Sequence, residues 1–284
     1  MILAGFILLA VGAADLVRQF APRRWIGYLA AAAVIVLLGI GGDALLPAIL
    51  GLAVGVLWIW SMPDEGPSRA GFWPAVALAA VSIGAVLWLG ARPEAGLIGE
   101  LWDLRSPFGV VEFDLAVLAL GAGVFLLESS NLVVRAALDG EHTWRPTDPA
   151  PADPAPAAPA PADPAPADPE AAAPAPADPA SLLADPTLAE ATPTAVAPRV
   201  DPRNGFKGGR LIGPLERVLV MLLTLAAAYP VLAAMLAAKG IVRFPEISRD
   251  GETGARAEYF LVGSLVSWVI GLGAAFLVWW AAHS

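Results

Sequence analysis

Cysteine is absent from this sequence of 284 residues, and histidine occurs only at His142 and His283. Without cysteine the chain has no disulfide framework, no cysteine-ligated zinc and no thiol nucleophile. Because His142 lies at the start of a proline-rich segment and His283 at the C-terminal end, we expect neither an intramembrane serine–histidine pair nor a histidine-ligated metal site. We therefore expect no cofactor and no metal site, and an enzymatic function is less favoured than a non-enzymatic one.

Charged residues are also scarce, at 15% of the chain, whereas 57% of the residues are hydrophobic. In a soluble globular protein about a quarter of the residues are charged and about half are apolar. The apolar surface of the present chain is therefore expected to be covered by lipid. The sequence predicts an all-α fold, a polytopic transmembrane helix bundle of about seven spans. Seven apolar runs approach or exceed the roughly 20 residues that a helical span requires: 2–20, 25–41, 44–62, 71–90, 110–130, 211–238 and 259–282.

Two local features add detail to this bundle. Pro230 lies inside the sixth run and removes a helical hydrogen bond, which predicts a kinked span. Residues 91–109 are too polar to cross a membrane. Because Leu97, Ile98 and Leu101 recur near helical spacing, this segment is predicted to form a short amphipathic helix on the outer surface, where it covers the bundle.

A low-complexity segment holds most of the proline and most of the excess negative charge. Residues 146–202 contain 17 of the 27 prolines, nine acidic residues and one basic residue, Arg199. Such a composition buries almost no apolar surface and favours an extended, polyproline-like chain. The sequence therefore predicts a five-helix transmembrane region at 1–138, a disordered Pro-Ala-Asp-rich linker at 139–206 and a transmembrane helical hairpin at 207–284.

Lysine and arginine indicate how the bundle is oriented. Arg18, Arg23 and Arg24 follow the first span. By the positive-inside rule they predict a multi-pass protein of the bacterial cytoplasmic (inner) membrane with its N-terminus outside. Seven spans then put the C-terminus inside. The last loop disagrees with this arrangement, because it would place four basic residues outside: Lys239, Arg243, Arg249 and Arg256.

Charged side chains within spans are costly to bury and usually face the interior of a bundle. Glu128, Asn131 and Arg135 share one helix face at the end of the fifth run, and Glu216 and Arg217 open the sixth. We predict an intramembrane charge network formed by these five residues and by Lys239, Arg243, Glu258 and Tyr259.

Specific pairs can be predicted within this network. Adjacent residues diverge by about 100° on a helix, so Glu216 and Arg217 address different partners. We expect Arg217 to pair with Glu128, and Glu216 to pair with Arg135 or Arg210. The network has two interpretations, a structural salt-bridge network and a pathway for protons or ions.

The C-terminal part of the chain carries a resemblance in four stretches: Gly209-Arg-Leu-Ile-Gly-Pro-Leu-Glu-Arg217, Leu236-Ala-Ala-Lys239, Arg243-Phe244 and Ala257-Glu-Tyr-Phe-Leu-Val-Gly-Ser264. Together they resemble a block in a family of uncharacterised bacterial polytopic membrane proteins of unknown function. In that family serine usually stands at the position of Gly240 and threonine at that of Ser264. The resemblance implies that the network residues of this region form one unit, and it implies no activity.

The composition favours a non-enzymatic scaffold or signalling component whose linker reaches a protein partner. The alternative is a transporter or channel subunit. Besides lipid and a protein bound through the linker, a second copy of the chain is an expected partner if Gly51 and Gly55 pair helices between copies rather than within one. No nucleic acid partner is expected, because the charge outside residues 146–202 is nearly balanced.

Overall fold

The computed structural model of the chain describes residues 1–63, 71–90, 92, 96–106, 109–140, 209–247 and 255–284. These residues all belong to one compact unit. The predicted linker at 139–206 lies outside the described residues, except for Asp139 and Gly140 at the end of a helix.

The described residues form ten α-helices and one antiparallel two-stranded sheet. The helices are α1 (Ile2–Phe20), α2 (Arg24–Gly41), α3 (Leu45–Ser61), α4 (Trp73–Leu89), α5 (Gly96–Leu101), α6 (Phe113–Leu127), α7 (Ser129–Gly140), α8 (Gly209–Leu225), α9 (Tyr229–Ile247) and α10 (Ala255–His283). The strands are β1 (Leu104–Ser106) and β2 (Gly109–Val111). The chain is thus mostly helical, as predicted.

Several of these helices are suited to a membrane by their length and composition. Within the described residues, α1, α2 and residues 260–283 of α10 are long and apolar enough to cross a bilayer. Helices α6 and α7 make a fourth span if they are counted together, although the chain bends by 50° between them. Helices α3, α4 and residues 229–242 of α9 are apolar but shorter. Three or four of the seven predicted spans are therefore supported.

Helix α1 lies at the centre of the bundle, in contact with α2, α3, α4 and α6. Small residues allow this close packing, because a Cβ added at Gly5 would lie 2.9 Å from the backbone nitrogen of Leu118 on α6. A Cβ at Gly51 would lie 2.8 Å from the backbone of Phe6, and Gly55 faces Ala10. Gly51 and Gly55 therefore serve packing within this chain.

The predicted sixth span is divided into two helices. Helix α8 ends at Leu225, a turn follows in which Ala227 has a φ of +51°, and α9 begins at Tyr229. Pro230 is the second residue of α9. The N–H groups in the first turn of a helix have no intrahelical partner, so a proline there removes no helical hydrogen bond. The prediction of a kink within one continuous helix was therefore wrong.

Helix α9 folds back along α8. Glu216 on α8 and Lys239 on α9 lie at nearly equal separations from the turn, and Lys239 Nζ is 2.7 Å from Glu216 Oε2. This contact requires an antiparallel helical hairpin, since a continuous helix would hold the two residues about 34 Å apart along its axis, more than the roughly 30 Å of a bilayer's hydrocarbon core.

Helix α10 runs parallel to α8 and antiparallel to α6 and α7. Arg217 of α8 bonds to Ser267, and Gly271 packs against Val220 four residues further along. Helices α1 and α6 run in one direction, because Gly5 faces Leu118 and Gly12 faces Phe125. The end of α10 therefore lies at the same end of the bundle as Met1, whereas the sequence had predicted opposite ends.

The amphipathic segment after α4 is only partly helical. It comprises the short helix α5 and the β1–β2 hairpin. Gly96 begins α5 with a φ of +66°, and a Cβ there would lie 2.6 Å from the backbone nitrogen of Asp43. Trp102 donates a hydrogen bond to the Val111 carbonyl at 2.8 Å and packs edge-on against Phe113. These contacts hold the segment against one end of the bundle.

Candidate functional site

Buried and half-buried polar side chains concentrate where α6 breaks into α7 at Glu128. We call this group the central network; it comprises Asp15, Arg18, Trp58, Glu128, Ser129, Asn131, Arg217 and Ser267. Its members come from five helices and the break itself, so they meet only in the folded bundle. Polar groups in such an apolar interior are costly unless they are bonded to one another.

The first part of the central network joins α1 to α3. Asp15 is 1% exposed and accepts a hydrogen bond of 2.8 Å from Trp58 Nε1. Arg18 Nη1 donates to the other carboxylate oxygen at 3.2 Å. Arg18 also donates to the carbonyls of Ile59 and Met62, each at 2.7 Å. These carbonyls end α3, so the guanidinium caps that helix and its partial negative charge.

The second part joins α7, α8 and α10 through Arg217. Its guanidinium donates to Ser267 Oγ and to the Leu126 carbonyl, both at 3.3 Å, and to Asn131 Oδ1. Asn131 Nδ2 donates to Glu128 Oε2 at 3.3 Å. The predicted link between Arg217 and Glu128 is thus made through a neutral amide, whose oxygen faces the cation and whose NH₂ faces the acid.

Glu216 belongs to a neighbouring group that joins α8, α9 and α10. Lys239 Nζ lies 2.8 and 2.7 Å from its two carboxylate oxygens, and Trp268 Nε1 donates to Oε1 at 2.8 Å. Lys239 Nζ also lies 5.6 Å from the ring centre of Trp268, within cation–π range. The sequence predicted Arg135 or Arg210 as the partner of Glu216. In the structure Lys239 is a partner of Glu216, and the side chain of Arg210 lies outside the described residues.

Four predicted network residues remain, and the side chains of two of them are described. Arg135 is exposed on α7, and Glu258 is exposed in the first turn of α10. The side chains of Arg243 and Tyr259 lie outside the described residues. Among the described side chains, Glu128, Asn131 and Arg217 meet at the helix break, and Glu216 and Lys239 meet beside it.

Sequence reasoning missed Asp15, Arg18 and Trp58. One signal was present, because Asp15 and Arg18 are an acid and a base at i, i+3 inside an otherwise apolar span, and such charges mark buried sites. Trp58 gave no signal, since an indole near a helix end is also typical of the membrane interface.

A second buried ion pair lies at the end of the bundle near Met1. Arg92 Nε and Nη2 contact the two oxygens of Asp114 at 3.0 and 2.7 Å. The guanidinium also donates to the carbonyls of Asp43 and Gly42 at 2.8 and 3.0 Å. The hydrogen bonds that Arg92 donates to Asp114 raise the pKa of Arg92 above its usual value. This pair ties the start of α6 to the turn between α2 and α3.

A cleft of about 720 Å³ opens beside this ion pair, beneath α5 and the hairpin. Acidic side chains line it together with Arg92 and the rings of Trp102 and Phe113. In the part of the chain that the structure describes, no three His, Asp or Glu side chains are grouped so that they could hold a metal ion.

No protein-family model, no curated protein and no solved structure matches this chain.

Proposed function

We propose that the protein is a non-enzymatic scaffold or signalling component of a bacterial inner membrane, which presents its Pro-Ala-Asp-rich linker to a protein partner. The supporting observation is that α7 and α8 pack directly against each other, through Asn131 and Arg217, although residues 141–208 separate them in the sequence. Packed helices are commonly joined by about 2–8 residues. The length of this segment therefore exceeds what the connection needs, and we assign the excess to partner binding.

We further propose that the chain crosses the membrane eight times, with both termini outside. The crossings are α1, α2, α3, α4, the bent pair α6–α7, α8, α9 and α10. Because α9 returns along α8, the basic residues after it lie on the same side as the linker, and the conflict with the positive-inside rule disappears. Helix α8 is about 25 Å long, which is shorter than the roughly 30 Å hydrocarbon core of a bilayer. Local thinning of the bilayer accommodates this difference at modest cost.

Deletion of residues 150–180 tests the scaffold role. The variant should lose its partner in a crosslinking pull-down from native membranes. It should keep its melting temperature, because loop-closure entropy changes slowly with length. A control that replaces the same residues with an equally long Gly-Ser segment separates recognition of the sequence from mere reach. Equal partner recovery from wild type and the deletion variant would overturn the scaffold proposal.

A transporter or channel subunit is the second candidate. It is favoured by two interruptions in one bundle, at Glu128 and at the turn between α8 and α9, since discontinuous helices often build transport sites. Purified full-length protein in liposomes should then mediate solute or ion flux, whereas a scaffold should mediate none above empty liposomes.

A further inference from the structure

We propose that the cleft beneath α5 and the β1–β2 hairpin binds an organic polycation, which is an alkyl chain that carries two or more ammonium groups. This site goes beyond the scaffold role and does not depend on it. The proposal rests on the size of the cleft, on its charge and on the apolar surface of its walls.

The first observation is the cavity itself. Its volume of about 720 Å³ lies within the range of about 300–1,000 Å³ that is typical of small-molecule sites. The end of α2, the helix α5, the strand β2 and the start of α6 all contribute to its lining. The cleft is therefore formed by the fold of this end of the bundle, and a bound molecule would contact several elements at once.

The second observation is an excess of negative charge in this cleft. Among the described residues its lining includes four carboxylates and one cation, Arg92. Arg92 donates two hydrogen bonds to Asp114 and two to backbone carbonyls, which leaves one of its five N–H groups. The carboxylates of Asp43, Glu100 and Glu112 accept no hydrogen bond from the described residues. The cleft therefore offers three carboxylates to a ligand and almost no donor.

The third observation is an aromatic and aliphatic wall. Trp102 is half-buried, and its ring is held by the Val111 carbonyl and by Phe113, whose ring centre is 5.6 Å away. The face of an indole attracts an ammonium group within about 6 Å. Leu97 and Val110 also line the cleft, and they are 74% and 70% exposed. The methylene groups of an alkyl chain would cover these side chains.

This combination favours a polycation over other small ligands. A metal ion needs several oxygen atoms at about 2.3–2.6 Å from one point, and no three acids of the described residues are grouped in that way. Ammonium groups that are separated by methylene groups can instead reach carboxylates that lie apart. An anion would meet three carboxylates and one remaining N–H group. A zwitterionic lipid headgroup carries a phosphate beside its ammonium group, and the same carboxylates would repel that phosphate.

Isothermal titration calorimetry with spermidine, a triammonium chain, tests this site. The full-length protein in phosphatidylcholine nanodiscs should bind spermidine saturably, whereas empty nanodiscs should not. Glu100→Gln and Glu112→Gln should each weaken binding by up to about fivefold, and the double variant by up to about 30-fold. Both acids are exposed, so the variants should keep the melting temperature of the wild type.

Asp103→Asn is the matched control, because it removes the same charge from the same segment at a residue that pairs with Arg105. It should leave the dissociation constant unchanged. Absence of saturable binding by the wild type, or an equal loss of affinity in Asp103→Asn and Glu100→Gln, would overturn the proposal.

Two further titrations of the wild type distinguish other occupants. Tighter binding of magnesium ion than of spermidine would assign the cleft to a metal ion and overturn the proposal. Loss of spermidine binding in nanodiscs that contain phosphatidylethanolamine, whose headgroup carries a primary ammonium group, would assign the cleft to a lipid and overturn it as well.

Discussion

Arg217 on α8 donates a hydrogen bond to Asn131 on α7, although the two residues are 86 positions apart in the sequence. The same amide donates to Glu128, so one neutral side chain connects a buried cation to an acid at a helix break. This contact joins the C-terminal helices to the N-terminal bundle.

Removal of Arg217 should destabilise the protein strongly. Arg217→Gln leaves Asn131 Oδ1, Ser267 Oγ and the Leu126 carbonyl without their cationic donor, at about 1–3 kcal/mol for each group left unsatisfied. A lower melting temperature in detergent would show this loss. Arg105→Gln is the matched control, because the Arg105–Asp103 pair is largely exposed and should contribute at most about 1 kcal/mol.

The Arg217–Asn131 contact should also be measurable as a coupling. In a double-mutant cycle with Asn131→Leu and Arg217→Gln, the double variant should lose less stability than the sum of the two single losses, because both single changes break the same contact. Additive losses would mean that the two residues do not interact energetically.

Trp58 should stabilise the core through its N–H group as well as its ring. Trp58→Phe keeps an aromatic ring beside Phe125 but removes the donor to Asp15, which should cost about 1–3 kcal/mol. Thermal unfolding measures the effect. Trp60→Phe, at a position that is 65% exposed, should change the melting temperature little, and an equal loss in both variants would contradict the assigned role.

Two glycines of α6 offer a test of the packing between α1 and α6. A Cβ at Gly121 would collide with the carbonyl oxygen of Gly5, whereas nothing lies within 4 Å of a Cβ at Gly123. Gly121→Ala should therefore lower the melting temperature. Gly123→Ala should be neutral or stabilising by up to about 1 kcal/mol, because alanine has the higher helix propensity. Equal effects of the two substitutions would argue against the close approach.

The absence of natural cysteine makes the proposed topology simple to measure. Single cysteines at Asp103 and Ser284 should both react with an impermeant thiol reagent in intact cells, because an even number of crossings places both outside. A cysteine at Asp148 should be shielded on the inner side. Shielding at Ser284 together with labelling at Asp103 would restore the seven-span arrangement.

The apolar runs determined the helices of the N-terminal region almost to the residue. The predicted run 2–20 is α1 (Ile2–Phe20), and the predicted runs 25–41 and 44–62 agree with α2 and α3 to within one residue at each end. Local sequence is sufficient here, because helix formation in lipid depends on continuous apolar side chains and on punctuation by polar or helix-breaking residues.

Only the tertiary structure decided where the chain reverses and which charges meet. The three alanines between α8 and α9 are good helix formers, and Pro230 is compatible with either a kink or a helix start. The reversal becomes evident through the contact of Lys239 with Glu216, a partner far away in the sequence.

A single charge such as Asp15 shows from the sequence that a polar site must be buried. Its partner Trp58 is set by how α1 packs on α3, because hydrogen-bond partners across helices depend on rotation and depth rather than on local composition.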